Sequence, residues 1–295
     1  MGKKNSYGLC ILAVILLLAP VAGFGQEKVP TQAPKAAAVT SPAEKVAAPG
    51  AAKASAPTPD PKQVLQQMCD FLKSQPQFSF KAEVYDDRVY AGGRKLQYGL
   101  DVEAFFWRPD KLRVNGNGDL ENKQLIYDGK TLTLYDKDKN HYGAIEVAGD
   151  LDAALDKAGK DYGLHVGLAE LGANRLAEYA QQGLTNSLYV GESKVRGVPC
   201  HHLAFDKENV HYQLWVEAGA RPLLRKVVVT QKKLPLAPQW TAYFSDWNFS
   251  PQLADNLFTF TPPGGAQKII FLSVKKSEAP APKKKAKPGK KGDKS

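Results

Sequence analysis

The spacing of apolar residues changes period along the chain. Val64, Leu65, Met68, Phe71 and Leu72 recur three and four residues apart and predict one amphipathic helix. Asp60 is placed to cap it, Pro61 to open it and Pro76 to stop it. The period then drops to two. Phe78, Phe80, Ala82 and Val84 alternate with Ser79, Lys81 and Glu83. Leu96, Tyr98, Leu100, Val102, Ala104 and Phe106 repeat the pattern, and Gly92-Gly93 between the two runs predicts a hairpin turn. Further strands are predicted at 111–115, 124–127, 131–135 and 141–146, with turns at Asp128-Gly129 and Lys139-Asn140.

Residues 150–182 break the alternation. Asp150 caps a helical spacing of Leu151, Ala154, Leu155 and Ala158, and Leu168, Leu171, Leu176 and Tyr179 give a second helical stretch. Gly159, Gly163, Gly167 and Gly172 punctuate the region, with Gly163 and Gly167 as candidate hinges. Strands resume at 187–195, 199–206, 210–217, 223–231 and 240–247. The order predicts an α+β domain: one large curved antiparallel sheet from about residue 78 to 271, an N-terminal helix, and a central helical insertion as cover.

The ends have a different composition. Lys3 and Lys4 precede a short apolar run from Leu9 to Ala19, and small residues Gly23 and Gly25 predict signal-peptide cleavage before Gln26. The run is well short of the ~20 residues a membrane span needs. Cys10 opens this run instead of following it, so no lipid anchor is expected. Residues 26–59 are Ala, Pro, Lys, Thr and Ser and predict a disordered spacer before a domain at 60–274. Residues 275–295 carry nine Lys against Glu278 and Asp293 and predict a disordered basic tail. The chain has a net charge of +10, but the tail supplies +7 and residues 1–59 supply +4, which leaves the domain near −1. The basic character therefore argues against a nucleic-acid-binding fold. It favours a polycationic arm whose natural partner is an anionic envelope surface.

Reactive chemistry is sparse. Gly191-Glu-Ser-Lys-Val195 lacks the closing Gly of a nucleophile elbow, and no HExxH or phosphate-binding loop occurs. Cys200, His201, His202 and His211 form the one dense polar cluster. With Lys207-Glu208 as a two-residue turn, Cys200, His202, His211 and Trp215 share one sheet face, which makes Cys200, His202 and His211 candidate metal ligands. Hydrogen bonding within the sheet is the simpler role for these histidines. Cys69 and Cys200 can form a disulfide in an oxidising compartment or stay as two buried thiols. No cofactor is implied. The aromatic residues Phe80, Tyr98, Phe106, Trp107, Tyr212, Trp240 and Phe244 are candidate walls of a ligand cavity on the concave side of the sheet. Core packing is the ordinary fate of any one of them.

Several blocks have a familiar order and spacing: Arg108-Pro-Asp-Lys-Leu-Arg113, Tyr127-Asp-Gly-Lys-Thr-Leu-Thr-Leu-Tyr135, Gly197-Val-Pro-Cys-His-His-Leu-Ala-Phe205, Tyr212-Gln-Leu-Trp-Val-Glu217, Pro222-Leu-Leu-Arg-Lys226 and Phe258-Thr-Phe-Thr-Pro-Pro-Gly-Gly-Ala266. Over roughly residues 60–272 the chain resembles an uncharacterised family of predicted periplasmic proteins, domain of unknown function 2092. More distantly it is similar to the LolA/LolB, LppX and RseB superfamily. That resemblance implies a half-open β-barrel plugged by helices, in proteins that carry lipoproteins or lipids or sense envelope stress. It supplies no catalytic residue.

These observations lead to a non-enzymatic exported protein that binds an apolar or amphipathic envelope ligand such as a lipid or acyl chain. The alternatives are an envelope sensor or scaffold that binds another protein through its sheet, and a metal-binding protein using His202 and His211. Mass spectrometry of the native protein is expected to find a periplasmic chain starting near Gln26 without lipid. An intact Met1 or a lipidated cysteine would exclude that processing.

Overall fold

The computed structural model describes residues 58–274 apart from residue 166. The leader, almost all of the spacer and the basic tail lie outside the described residues.

Helix α1 (Pro61–Ser74) starts where its cap requires: the Asp60 carboxylate accepts from Lys62 N at 2.9 Å, with Pro61 at the first position. Its buried stripe is Val64, Leu65, Met68, Cys69 and Leu72, with Phe71 at the edge. A meander follows: β1 (Gln77–Tyr90), β2 (Arg94–Trp107), β3 (Lys111–Gly118), β4 (Asn122–Tyr127), β5 (Thr131–Asp136) and β6 (His141–Glu146). The insertion holds α2 (Leu151–Tyr162), a 3-10 turn (Ala169–Gly172) and the short α3 (Leu176–Gln181). The predicted second helical stretch is therefore split in two. Strands β7 (Asn186–Val195), β8 (Val198–Asp206), β9 (Val210–Glu217), β10 (Leu224–Gln231) and β11 (Gln239–Asn248) come next, then β12 (Gln267–Ile269).

All twelve strands belong to one open sheet, in the order β12-β6-β5-β4-β3-β2-β1-β11-β10-β9-β8-β7. The chain builds outward from β1 to β6, restarts at the opposite edge with β7, and builds back until β11 pairs with β1. The insertion between β6 and β7 must therefore cross from one edge to the other. Its apolar residues Leu151, Ala154, Ala158, Leu168, Leu171 and Leu176 are buried against the sheet in the main core. The sheet is mixed, not wholly antiparallel as expected, because β12 runs parallel to β6. Before β12 the chain recrosses the other face: Phe258 packs on Trp107, Arg113 donates to Leu257 O at 2.9 Å, and Phe260 packs on Tyr135 and Tyr142.

The helix-covered face holds the alternating residues read from the sequence. Phe78, Phe80, Ala82 and Val84 of β1 stand opposite Phe106, Ala104, Val102 and Leu100 of β2. Phe78 stacks on Phe106 at 4.5 Å between centroids. Gly172 lies directly on this ring, and a Cβ at that position would sit 2.1 Å from Phe106 Cδ1 and 2.8 Å from Leu151 Cδ2. Substitution Gly172→Ala is expected to destabilise the fold by about 1–3 kcal/mol through overpacking. Chemical denaturation checks this, and an unchanged midpoint would show that the turn is not seated on Phe106.

Candidate functional site

The helix-covered face is not filled along its whole length. An apolar cleft of about 60 Å³ remains, lined by Val84, Leu100, Val102, Val114, Gly116, Leu125, Leu134, Leu168 and Trp240. Strands supply every one of these residues except Leu168, which the insertion lowers onto the sheet. Glu121 and Lys123 complete the lining and pair with one another at 2.8 Å. A second recess of about 30 Å³ shares Val84, Leu100, Glu121 and Trp240 and adds Arg88, Tyr98 and Leu120. The arrangement offers an apolar wall with two ion pairs beside it, Glu121–Lys123 at the cleft and Asp86–Arg88 at the recess, and the wall suits an alkyl group.

The aromatic candidates separate into groups. Trp240 lines the cleft and Tyr98 lines the recess beside it. Phe80, Phe106, Tyr212 and Phe244 are fully packed core residues, and Phe106 stacks between Phe78 and Phe80. Tyr212 is held by donation from its hydroxyl to Ala180 O at 2.8 Å. Trp107 lies on the opposite face against Phe258. Gly163 caps α2 in the left-handed region at φ 67°, and Gly167 O accepts from Glu170 N at the start of the 3-10 turn.

The histidines and cysteines do not converge. The β8–β9 turn is Glu208-Asn209, with Lys207 N donating to Val210 O, so Asp206 faces His211 and His202 faces Trp215. The shared face holds as expected, but the register is two residues away from the one assumed. His202 Nε2 meets Gln213 Oε1 at 2.9 Å and its ring stacks on Trp215, while His211 Nδ1 meets Asp206 Oδ1 at 3.1 Å. Among the described residues no three His, Cys, Asp or Glu side chains come together as a metal site. Cys69 and Cys200 are free buried thiols, not a disulfide. Cys69 belongs to the core under α1, whereas Cys200 belongs to the row of β8 that carries His202. Burial pushes the Cys69 thiol up to about 12.

The polar residues that hold the insertion were not singled out from the sequence. Asp152 accepts from Asn174 N at 3.0 Å and Arg175 N at 3.2 Å, which ties α2 to the start of α3. Lys207, itself buried, donates to Tyr179 O at the end of α3 at 3.0 Å. Glu170 on the 3-10 turn is 7% exposed, and its Oε2 has no hydrogen-bond partner. It faces a small, partly open recess with Asp156, Lys160, His165 and Tyr179. Burial pushes the Glu170 carboxyl up to about 8, with the Lys207 charge pulling the other way.

A carboxyl raised this far is protonated in the folded chain at neutral pH and ionised in the unfolded chain. The folded state then binds the extra proton, so stability falls as pH rises toward 8 and levels off above it. His165 and His202 are held below their ordinary value by burial and act in the opposite sense, an effect that fades above about pH 7 as the unfolded histidines lose their protons. Between pH 6.5 and 8 the wild type is expected to lose about 2 kcal/mol, and Glu170→Gln to remove most of that slope. Denaturation across this range tests it. An equal slope in both proteins would place the titrating group elsewhere.

No curated protein matches the chain. Among solved structures it is similar to the lipoprotein LppX of Mycobacterium tuberculosis, at 13% identity and TM-score 0.38, over 66% of this chain and 98% of that one. It is similar to a LolA superfamily protein of Nitrosomonas europaea, at 10% identity and TM-score 0.34, over 68% of this chain and 97% of that one. MucB, in the MucA/MucB complex of Pseudomonas aeruginosa, matches at 15% identity and TM-score 0.37, over 68% of this chain and 62% of that one. Residues 61–272 match the family described as predicted periplasmic protein (DUF2092), and the chain belongs to that family.

Proposed function

We propose that the protein is a non-enzymatic binder or carrier of an apolar or amphipathic envelope ligand, whose alkyl part enters the cleft beside Trp240. The observation that carries this reading is the cleft itself. Its wall is apolar apart from the Glu121–Lys123 pair, and Leu168, which covers it, comes from the insertion and not from the sheet. At about 60 Å³ the cleft is closed to an acyl chain, since small-molecule pockets run to roughly 300–1,000 Å³. Ligand entry in this reading displaces Leu168, with Gly163 and Gly167 as joints of the moving segment. The buried polar groups of the insertion fit this role. Asp152 ties α2 to the start of α3, Lys207 holds the end of α3, and neither lines the cleft. The basic tail serves as the contact with an anionic envelope surface.

A different observation favours the sensor or scaffold reading. Among the described residues β7 is the last strand at its edge of the sheet, and its Leu188 and Val190 are exposed. An extended segment of another envelope protein can extend the sheet there by strand addition.

A dansyl-labelled fatty acid is expected to bind the detergent-free protein with energy transfer from tryptophan. Leu100→Arg, at a half-buried wall position, is expected to weaken binding about 10-fold or more without loss of fold. Absence of transfer, together with a ligand-free native mass, would remove the carrier reading and leave strand addition at β7.

A further inference from the structure

The last described residues form an apolar strip on the sheet edge. After Gln267 the chain reads Lys268-Ile-Ile-Phe-Leu-Ser-Val274, and Lys275 and Lys276 follow at once. Phe271 turns inward. Its ring lies over Gly143 and meets Tyr162 at 6.2 Å between centroids. Its two neighbours turn outward: Ile270 and Leu272 are each 85% exposed, the most exposed large apolar residues described. Ile269 and Val274 extend the same exposed run. Nothing in the pairing of β12 with β6 requires Ile or Leu at these outward positions. A soluble edge is ordinarily guarded by charge instead.

The charge appears just beyond the strip. Residues 275–295 carry nine Lys against Glu278 and Asp293, while the domain before them is near −1. An apolar anchor directly joined to a polybasic segment is a pairing that holds a protein on an anionic bilayer. The cations approach the headgroups and the alkyl side chains enter the headgroup–acyl boundary, each contribution being marginal alone.

We propose that residues 269–274 and the Lys-rich sequence after them are one membrane-docking element, and that its partner is an anionic phospholipid bilayer. This takes up the tail contact of the preceding reading and adds the apolar half, but it does not depend on a ligand in the cleft. The strip also touches the insertion: Phe271 meets Tyr162 in α2, and Val274 Cγ1 lies 3.6 Å from where a Cβ on Gly163 would stand. Docking therefore brings the joint of the insertion to the lipid surface.

The test is sedimentation of the exported full-length protein with vesicles of phosphatidylcholine alone and with three-tenths phosphatidylglycerol. Binding to the anionic vesicles is expected, with little to neutral ones and a steep decline as salt rises. The double substitution Ile270→Ser and Leu272→Ser is expected to weaken anionic-vesicle binding about 10-fold or more, because it removes two buried alkyl groups from the bound state. Both side chains are exposed, so the melting temperature should not change. As a second readout, Leu272→Trp is expected to give a blue-shifted emission component, absent from wild type, that brominated lipids quench. Unchanged binding by the double variant, equal binding to neutral vesicles, or a Leu272→Trp signal insensitive to brominated lipid would each overturn the proposal. Loss of vesicle binding with retention of the dansyl fatty acid would leave the carrier reading intact.

Discussion

One guanidinium decides where the helices sit. Arg108, just past the end of β2, donates from Nε to Gln75 O at 3.0 Å and from one terminal nitrogen to Leu72 O at 3.2 Å. The other terminal nitrogen donates to Gly172 O at 2.5 Å and to Asn174 Oδ1 at 3.0 Å. The last turn of a helix leaves carbonyls without partners, and here a side chain of the sheet supplies donors to the end of α1 and to the 3-10 turn together. Burial lowers the Arg108 pKa, yet a guanidinium keeps its charge and spreads its donors in a plane, which an ammonium at this position would not do. The Phe78–Phe106 stack lies just inside this anchor, with Gly172 seated on it.

Pinning both helical pieces at this end leaves the other end open. β1 and β2 have 14 residues each, or about 46 Å fully extended, while the longest helix, α1, has 14 residues and spans about 21 Å. Helical cover therefore cannot follow the hairpin to its tip. Burial along β1 records this: Phe78, Phe80, Ala82 and Val84 are buried, and the residues beyond are half-buried or exposed. The cleft lies at that boundary, where Val84 and Leu100 face each other in register and Leu168 of the insertion meets the sheet. Its position follows from strand length and anchor position together.

Much of this architecture was legible in the sequence, because sheet faces follow parity. Phe78 to Val84 and Leu100 to Phe106 named the core side of the hairpin directly. The same parity marks Trp107, out of phase with Phe106, as facing away from the cleft, and it packs on Phe258 on the outer face. Other features were hidden for physical reasons. The β8–β9 register depended on where the turn falls, and Lys207 looks like a turn residue. Its ammonium instead reaches a carbonyl at the end of α3, so it continues the strand pairing with Val210. The Phe258-Thr-Phe-Thr261 alternation looks like a strand, yet its two rings pack on Trp107 and on Tyr135 and Tyr142 as a strap across the outer face. Leu168 and Glu170 gain their roles only because the insertion must cross the whole sheet, a consequence of strand order that no local pattern carries.

The bonds of the insertion are unevenly distributed, and this bears on the opening that the proposed carrier reading requires. From Gly172 to Arg175 the chain is held by Arg108 and Asp152, and the end of α3 by Lys207 and Tyr212. Among the described residues from Gly163 to Leu171 the backbone hydrogen bonds are short-range: Gly163 N to Gly159 O, Leu164 N to Ala158 O, Glu170 N to Gly167 O and Leu171 N to Leu168 O. Lifting Leu168 off the sheet therefore need not break the anchors to β2 and α2. In the proposed carrier reading it would also expose Glu170, whose carboxyl is held up by burial. Water would restore its ordinary acidity and favour the ionised, lifted state as pH rises. Leu168 and the buried Glu170 carboxyl, whose Oε2 has no hydrogen-bond partner among the described residues, sit two positions apart on one turn, so that in the proposed carrier reading alkyl-group entry and carboxyl ionisation would act on the same local equilibrium.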